Sequence, residues 1–100
     1  MTTRLVGFPR RHADVLLLDE PHRSVLIAPD QVESHVLNTT ARAIWELCDG
    51  ATDPDEMAGA ICQVFSVAAD VARADVRDAL EQLTAAGLVT WSASTDGMQP

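Results

Sequence analysis

The chain has no lysine, only two cysteines and no long apolar run. Its longest uninterrupted apolar stretches are four or five residues, far short of the roughly 20 needed to span a bilayer as a helix. The first eleven residues carry arginines but no apolar core of the kind a secretory signal needs, so the expected compartment is the cytoplasm. Cys48 and Cys62 have no second Cys or His at ligand spacing, which argues against a metal site or a disulfide framework. Both fall on apolar faces of predicted helices and read as ordinary buried thiols in a reducing compartment. A Gly-rich phosphate loop is also missing. His12, His22 and His35 are scattered, none spaced with a cysteine or acid as in a zinc or triad signature. The expectation is therefore a non-enzyme with no catalytic residue, cofactor or metal.

Acids outnumber bases by 15 to 7, giving a formal charge of −8. They concentrate over residues 43–86, where Glu46, Asp49, Asp53, Asp55, Glu56, Asp70, Asp75, Asp78 and Glu81 face only Arg73 and Arg77. Such a surface repels a phosphate backbone and suits a neutral or basic partner, although solubility alone accounts for much net charge. Asp53, Asp55 and Glu56 might be taken for a carboxylate site, but they open a helix, where acids complement the macrodipole.

One hundred residues make a single domain at most. Residues 14–19 and 24–28 are short apolar runs separated by Glu20-Pro21-His22-Arg23, a turn whose proline presets φ. After Pro29-Asp30, residues 32–37 form a more polar third run, with Val32, Ser34 and Val36 on one face and Glu33, His35 and Leu37 on the other. Three such runs predict an antiparallel meander. Helix signals follow. Asn38-Thr39-Thr40 offers N-caps, and Ala41, Ile44, Trp45 and Cys48 recur at helical spacing before Gly50. Asp53-Pro54-Asp55-Glu56 predicts a capping box with proline at the first helical position, followed by an apolar stripe of Met57, Ile61, Val64 and Phe65. A third helix is predicted over residues 70–86, with Ala72, Val76, Ala79, Leu80 and Leu83 as its stripe and Gly87 as its stop. Residues 88–91 can add a brief closing strand, and residues 92–100 read as a disordered tail. The fold class is α+β and winged-helix-like: a three-stranded antiparallel sheet followed by three helices in one domain over residues 1–91. Trp45, Phe65, Ile44, Ile61, Leu80 and Leu83 are the predicted core.

The order Leu37-Asn38, Ile44-Trp45, Leu47, Asp49-Gly50, then Met57, Ile61 and Phe65, then Asp75-Val76, Leu80, Leu83 and Gly87-Leu88-Val89 resembles the PqqD-like proteins. These are the peptide chaperones of pyrroloquinoline quinone synthesis and their relatives, the RiPP recognition elements. The resemblance covers roughly residues 15–89. It implies a small domain that binds the leader segment of a ribosomally made precursor peptide and presents it to a tailoring enzyme, often a radical SAM protein. It further implies that the leader adds as a strand to the third strand, beside the third helix. The candidate peptide-binding residues are Val32, Glu33, Ser34, His35, Val36 and Leu37 on the strand, with Val32, Ser34 and Val36 as the groove-facing positions, and Arg73, Val76, Arg77, Leu80 and Glu81 on the helix. Read on their own, Val76 and Leu80 suit a core stripe, and Arg73 and Arg77 suit solvated partners of Asp70 and Asp78.

The main alternative is a winged-helix DNA-binding or transcription-regulating domain, whose third helix would enter a major groove. Its charge is unfavourable, because residues 70–87 carry four acids against two arginines. An adaptor for a folded enzyme is a second alternative, compatible with leader presentation. An open strand edge also allows self-pairing into a homodimer. Neither nucleic acid nor a membrane is an expected partner.

Overall fold

The computed structural model describes residues 7–28 and 34–92. Its elements, in chain order, are β1 (Phe8–Arg11), β2 (Leu16–Glu20), β3 (Arg23–Ile27), β4 (His35–Leu37), α1 (Thr39–Leu47), α2 (Pro54–Phe65), α3 (Ala69–Ala85) and β5 (Val89–Ser92). The predicted meander is present as an antiparallel sheet in the order β2-β3-β4. Pro21 and His22 form the two-residue turn between β2 and β3. The pair that closes it, Glu20 opposite Arg23, is joined by a 2.7 Å ion pair.

One strand was missed by sequence reasoning. β1 pairs antiparallel with β5, with Pro9 opposite Trp91 and Arg11 opposite Val89. Proline normally argues against a strand because it has no N–H to give the ladder. Here Pro9 works as an acceptor, its carbonyl taking the Gly50 N–H at 2.9 Å. The Arg11 N–H donates to the Cys48 carbonyl at 2.9 Å, so β1 is satisfied on both flanks, by β5 and by the segment after α1. The Arg11 side chain adds bonds to the Trp45 and Glu46 carbonyls at 3.2 and 2.7 Å. Those carbonyls end a helix with no basic residue in its last turn, where a cation is favourable.

The helix boundaries follow their caps. Asn38 Oδ1 accepts from Ala41 N–H at 2.7 Å and starts α1. The Asp53/Glu56 capping box starts α2, with bonds of 2.8 and 3.0 Å. Gly50 and Gly87 take the positive φ that their turns require, +81° and +75°.

The core lies between the inner face of the three-stranded sheet and the three helices. It joins Leu26 and Leu37 to Ile44, Trp45, Met57, Ile61, Val76, Leu80 and Leu83. Five of the six nominated core residues are buried, and Phe65 is half-buried against them. Val64, placed in the α2 stripe by periodicity, is instead 70% exposed; the buried arc of α2 is Met57, Ala58 and Ile61, which leaves Val64 at its margin. Arg42 ties α1 to the sheet, holding Asp19 of β2 through 3.0 and 2.8 Å bonds while also reaching Glu46 at 2.8 Å. The Arg42 guanidinium and the Ser24 hydroxyl lower the Asp19 carboxyl to about 2. No helix among the described residues is long and apolar enough to cross a membrane.

Candidate peptide-binding site

In the three-stranded sheet β4 is an edge, paired with β3 only among the described residues. An edge strand carries main-chain N–H and C=O groups that no neighbouring strand satisfies. The register is Ser24 opposite Leu37, Val25 opposite Val36 and Leu26 opposite His35. Since directly opposite residues share a face, His35 and Leu37 lie with core Leu26 on the inner face, and Val36 lies on the outer one. This corrects the expected orientation: the side of β4 turned towards the helices carries His35 and Leu37, whereas Val36, expected in the groove, points away. Leu37 is buried and Val36 is 53% exposed. Ser34 is exposed and precedes the strand. Val32 and Glu33 lie outside the described residues.

Immediately after β4, a cleft of about 240 Å³ separates the start of α1 from α3. Asn38, Thr40, Ala41 and Ile44 form one wall, and Asp75, Asp78, Ala79 and Gln82 form the other. At about 100° per residue, the cleft residues of α3 form one flank of its buried stripe of Ala72, Val76, Leu80 and Leu83. Arg73, Arg77 and Glu81 occupy the opposite flank.

The five candidates on α3 therefore separate. Val76 and Leu80 are 1% and 0% exposed and belong to the core, so they support the wall from behind without offering a surface. Arg73, Arg77 and Glu81 are exposed, but none lines the cleft. Arg77 approaches its neighbour Asp78 at 4.0 Å. Sequence reasoning missed Asn38, Asp75, Asp78 and Gln82 as cleft residues. Helical spacing located the buried stripe of α3, and its two flanks could have been drawn from it. Which flank meets α1 is set by tertiary packing.

The cleft is polar and its α3 wall is acidic. Asn38 is held in place by its capping bond, and two carboxylates stand opposite it. This arrangement accommodates neutral or basic side chains and resists acidic ones. Among the described residues, no three His, Cys, Asp or Glu side chains are grouped to hold a metal ion. Burial pushes the Cys48 thiol up to about 12, so this group stays a protonated core residue and a poor nucleophile.

The model of the family described as "Coenzyme PQQ synthesis protein D (PqqD)" matches residues 23–89. The chain belongs to the PqqD family. That span runs from β3 to the first residue of β5 and so includes β4, α1 and α3. Among solved structures, the chain is similar to TbiB1 in complex with the TbiA(beta) leader peptide. The TM-score is 0.68 and the identity 25%, covering 80% of this chain and 93% of TbiB1. No curated protein is significantly similar in sequence. The winged-helix-like arrangement of a three-stranded sheet and three helices is thus shared with a PqqD-type fold.

Proposed function

We propose that this PqqD-family protein binds the leader segment of a ribosomally synthesised precursor peptide and presents it to a tailoring enzyme, such as a radical SAM protein. The leader adds as a strand to β4. Main-chain bonds supply affinity that tolerates sequence variation, and side chains on alternate positions supply specificity. The observation that carries this reading is the edge of β4, unpaired among the described residues, which ends beside the cleft between α1 and α3. The structural likeness to TbiB1, which is itself in complex with a leader peptide, supports it. The acidic wall of the cleft favours a leader that is neutral or basic where it faces Asp75 and Asp78. Binding orders a flexible peptide, and the ordering cost keeps affinity moderate.

The binding unit spans residues 1–91, works in the cytoplasm, and leaves catalysis to its partner enzyme. DNA binding is disfavoured by the four acids on and beside the exposed surface of α3, because backbone binding depends on neutralising phosphates. The test is a titration of leader-type peptides into isotopically labelled protein. The expected result is that backbone amides of residues 34–38 and of the Asp75/Asp78/Gln82 flank of α3 shift most. Shifts confined to β1 and β5 would overturn the docking model.

A further inference from the structure

The outer face of the three-stranded sheet carries a row of apolar side chains whose exposure is lowest where strands lie on both sides. Leu18, Val25 and Val36 stand side by side across β2, β3 and β4. Val25, flanked on both sides, is 5% exposed. Leu18 and Val36, each flanked on one side only, are 47% and 53% exposed. All three lie on the face away from the helices, and Val25 takes no part in the main core. Burial along the row is thus greatest where a strand lies on each side.

A strand added to β4 would give Val36 the second neighbour that Val25 already has. Adjacent strands lie about 4.8 Å apart, and side chains alternate between faces. Whichever direction the incoming strand runs, one of its residues stands beside Val36 on the outer face, and the residues on either side of it turn to the inner face, beside His35 and Leu37. We infer that Val36 is a specificity-determining residue and that the leader carries a β-branched or aromatic residue beside it, extending the Leu18-Val25-Val36 row by one position. This rests on the strand-addition reading above and names a second, outward specificity element in it. The pairing rule of antiparallel sheets favours such neighbours: aromatic and β-branched pairs are worth about 0.2–1 kcal/mol over alanine, or about 1.4- to 5-fold in affinity. Alternate leader residues face the inner side of the sheet, which leads to the cleft at the end of β4, and Val36 reads the intervening one on the outer side.

The choice of β4 over the opposite edge has a structural reason. β2 carries Asp19 and Glu20, and Asp19 is already committed to Arg42. Only β4 has the α1–α3 cleft beginning at its end.

The experiment is selection of displayed random dodecapeptides on the full chain, repeated on Val36→Arg and Val36→Ala, with Leu18→Ala as a control two strands away. Val36 is exposed and at an edge, so these variants keep the fold; circular dichroism and thermal melting check this. The expected result is enrichment of Val, Ile, Phe or Tyr at one position of the selected peptides. That position turns to Asp or Glu on Val36→Arg, while its neighbours and the Leu18→Ala pool stay the same. On Val36→Ala, affinity for the wild-type peptides falls by about threefold. Peptides that shift the amides of residues 35–37 yet show no preference at that position, and no switch with Val36→Arg, overturn the inference while leaving strand addition standing. If peptides shift β2 instead, or none is enriched, strand addition at β4 fails and the inference fails with it.

Discussion

β1 and β4 are both short strands, four and three residues long, and the protein treats them in opposite ways. β1 is closed on both flanks, with β5 on one side and the Cys48 and Gly50 backbone on the other. An arginine side chain also fastens it to the end of α1. β4 is closed on one flank only and ends beside a cleft. Where a small domain consumes its main-chain groups it gains rigidity, and where it leaves them unpaired it retains the capacity to bind an extended chain. The family match covers β4 and the helices and leaves β1 outside, so the open strand lies in the matched portion and the closed one in the part outside it.

The largest expected effect tests what the two regions share. Leu80 is fully buried among side chains from the sheet and helices, and Leu80→Ala should destabilise the whole domain by about 2–5 kcal/mol, seen as a lower midpoint in urea. If stability is retained while peptide binding is lost, Leu80 is a contact residue and its assignment to the core is wrong. Next, Arg11→Ala removes both side-chain bonds to the α1 carbonyls. It should cost about 1–2 kcal/mol and leave peptide affinity at β4 unchanged within error. A parallel loss of affinity would mean the closed region is coupled to the open one.

Asn38→Ala acts at the opposite place. It removes the α1 cap, for about 1 kcal/mol, and alters the cleft wall, so both stability and peptide affinity should fall. Asn38→Asp should restore the stability, since aspartate caps as well as asparagine does. The smallest effect concerns the Asp19–Arg42 tie. Because the folded-state carboxyl is depressed from 3.8 to about 2, its contribution to stability is fully present above about pH 4. It is lost as the pH falls towards 2. Asp19→Asn should flatten that part of the acid-denaturation curve, and an unchanged curve would show that the tie contributes nothing.

The helices were legible in the sequence because their signals are local. The cap at Asn38, the box at Asp53 and Glu56, and the stops at Gly50 and Gly87 each act within a few residues, and the apolar spacing did the rest. The meander was legible from its proline turn and short runs. β1 was not: Pro9 reads as a strand breaker, and its role depends on an acceptor bond from Gly50, more than forty residues away. The site was legible only in part. The sequence alternation separated His35 and Leu37 from Val36 correctly, but which face meets the helices is set by the pairing of Leu37 and His35 across from Ser24 and Leu26. Likewise Val76 and Leu80 were recognisable as a stripe, while the flank of α3 that forms the cleft is chosen by its packing against α1.

Amide hydrogen exchange, followed with and without a bound leader-type peptide, compares the two strands in one measurement. Amides of β1 and β5 should be protected in the free protein and unchanged on binding, while those amides of residues 35–37 that point away from β3 should exchange readily when free and slow markedly when the peptide is bound. Protection of those outward amides already complete in the free protein, or new protection appearing only in β1 and β5, would contradict the claim that β4 is the docking strand.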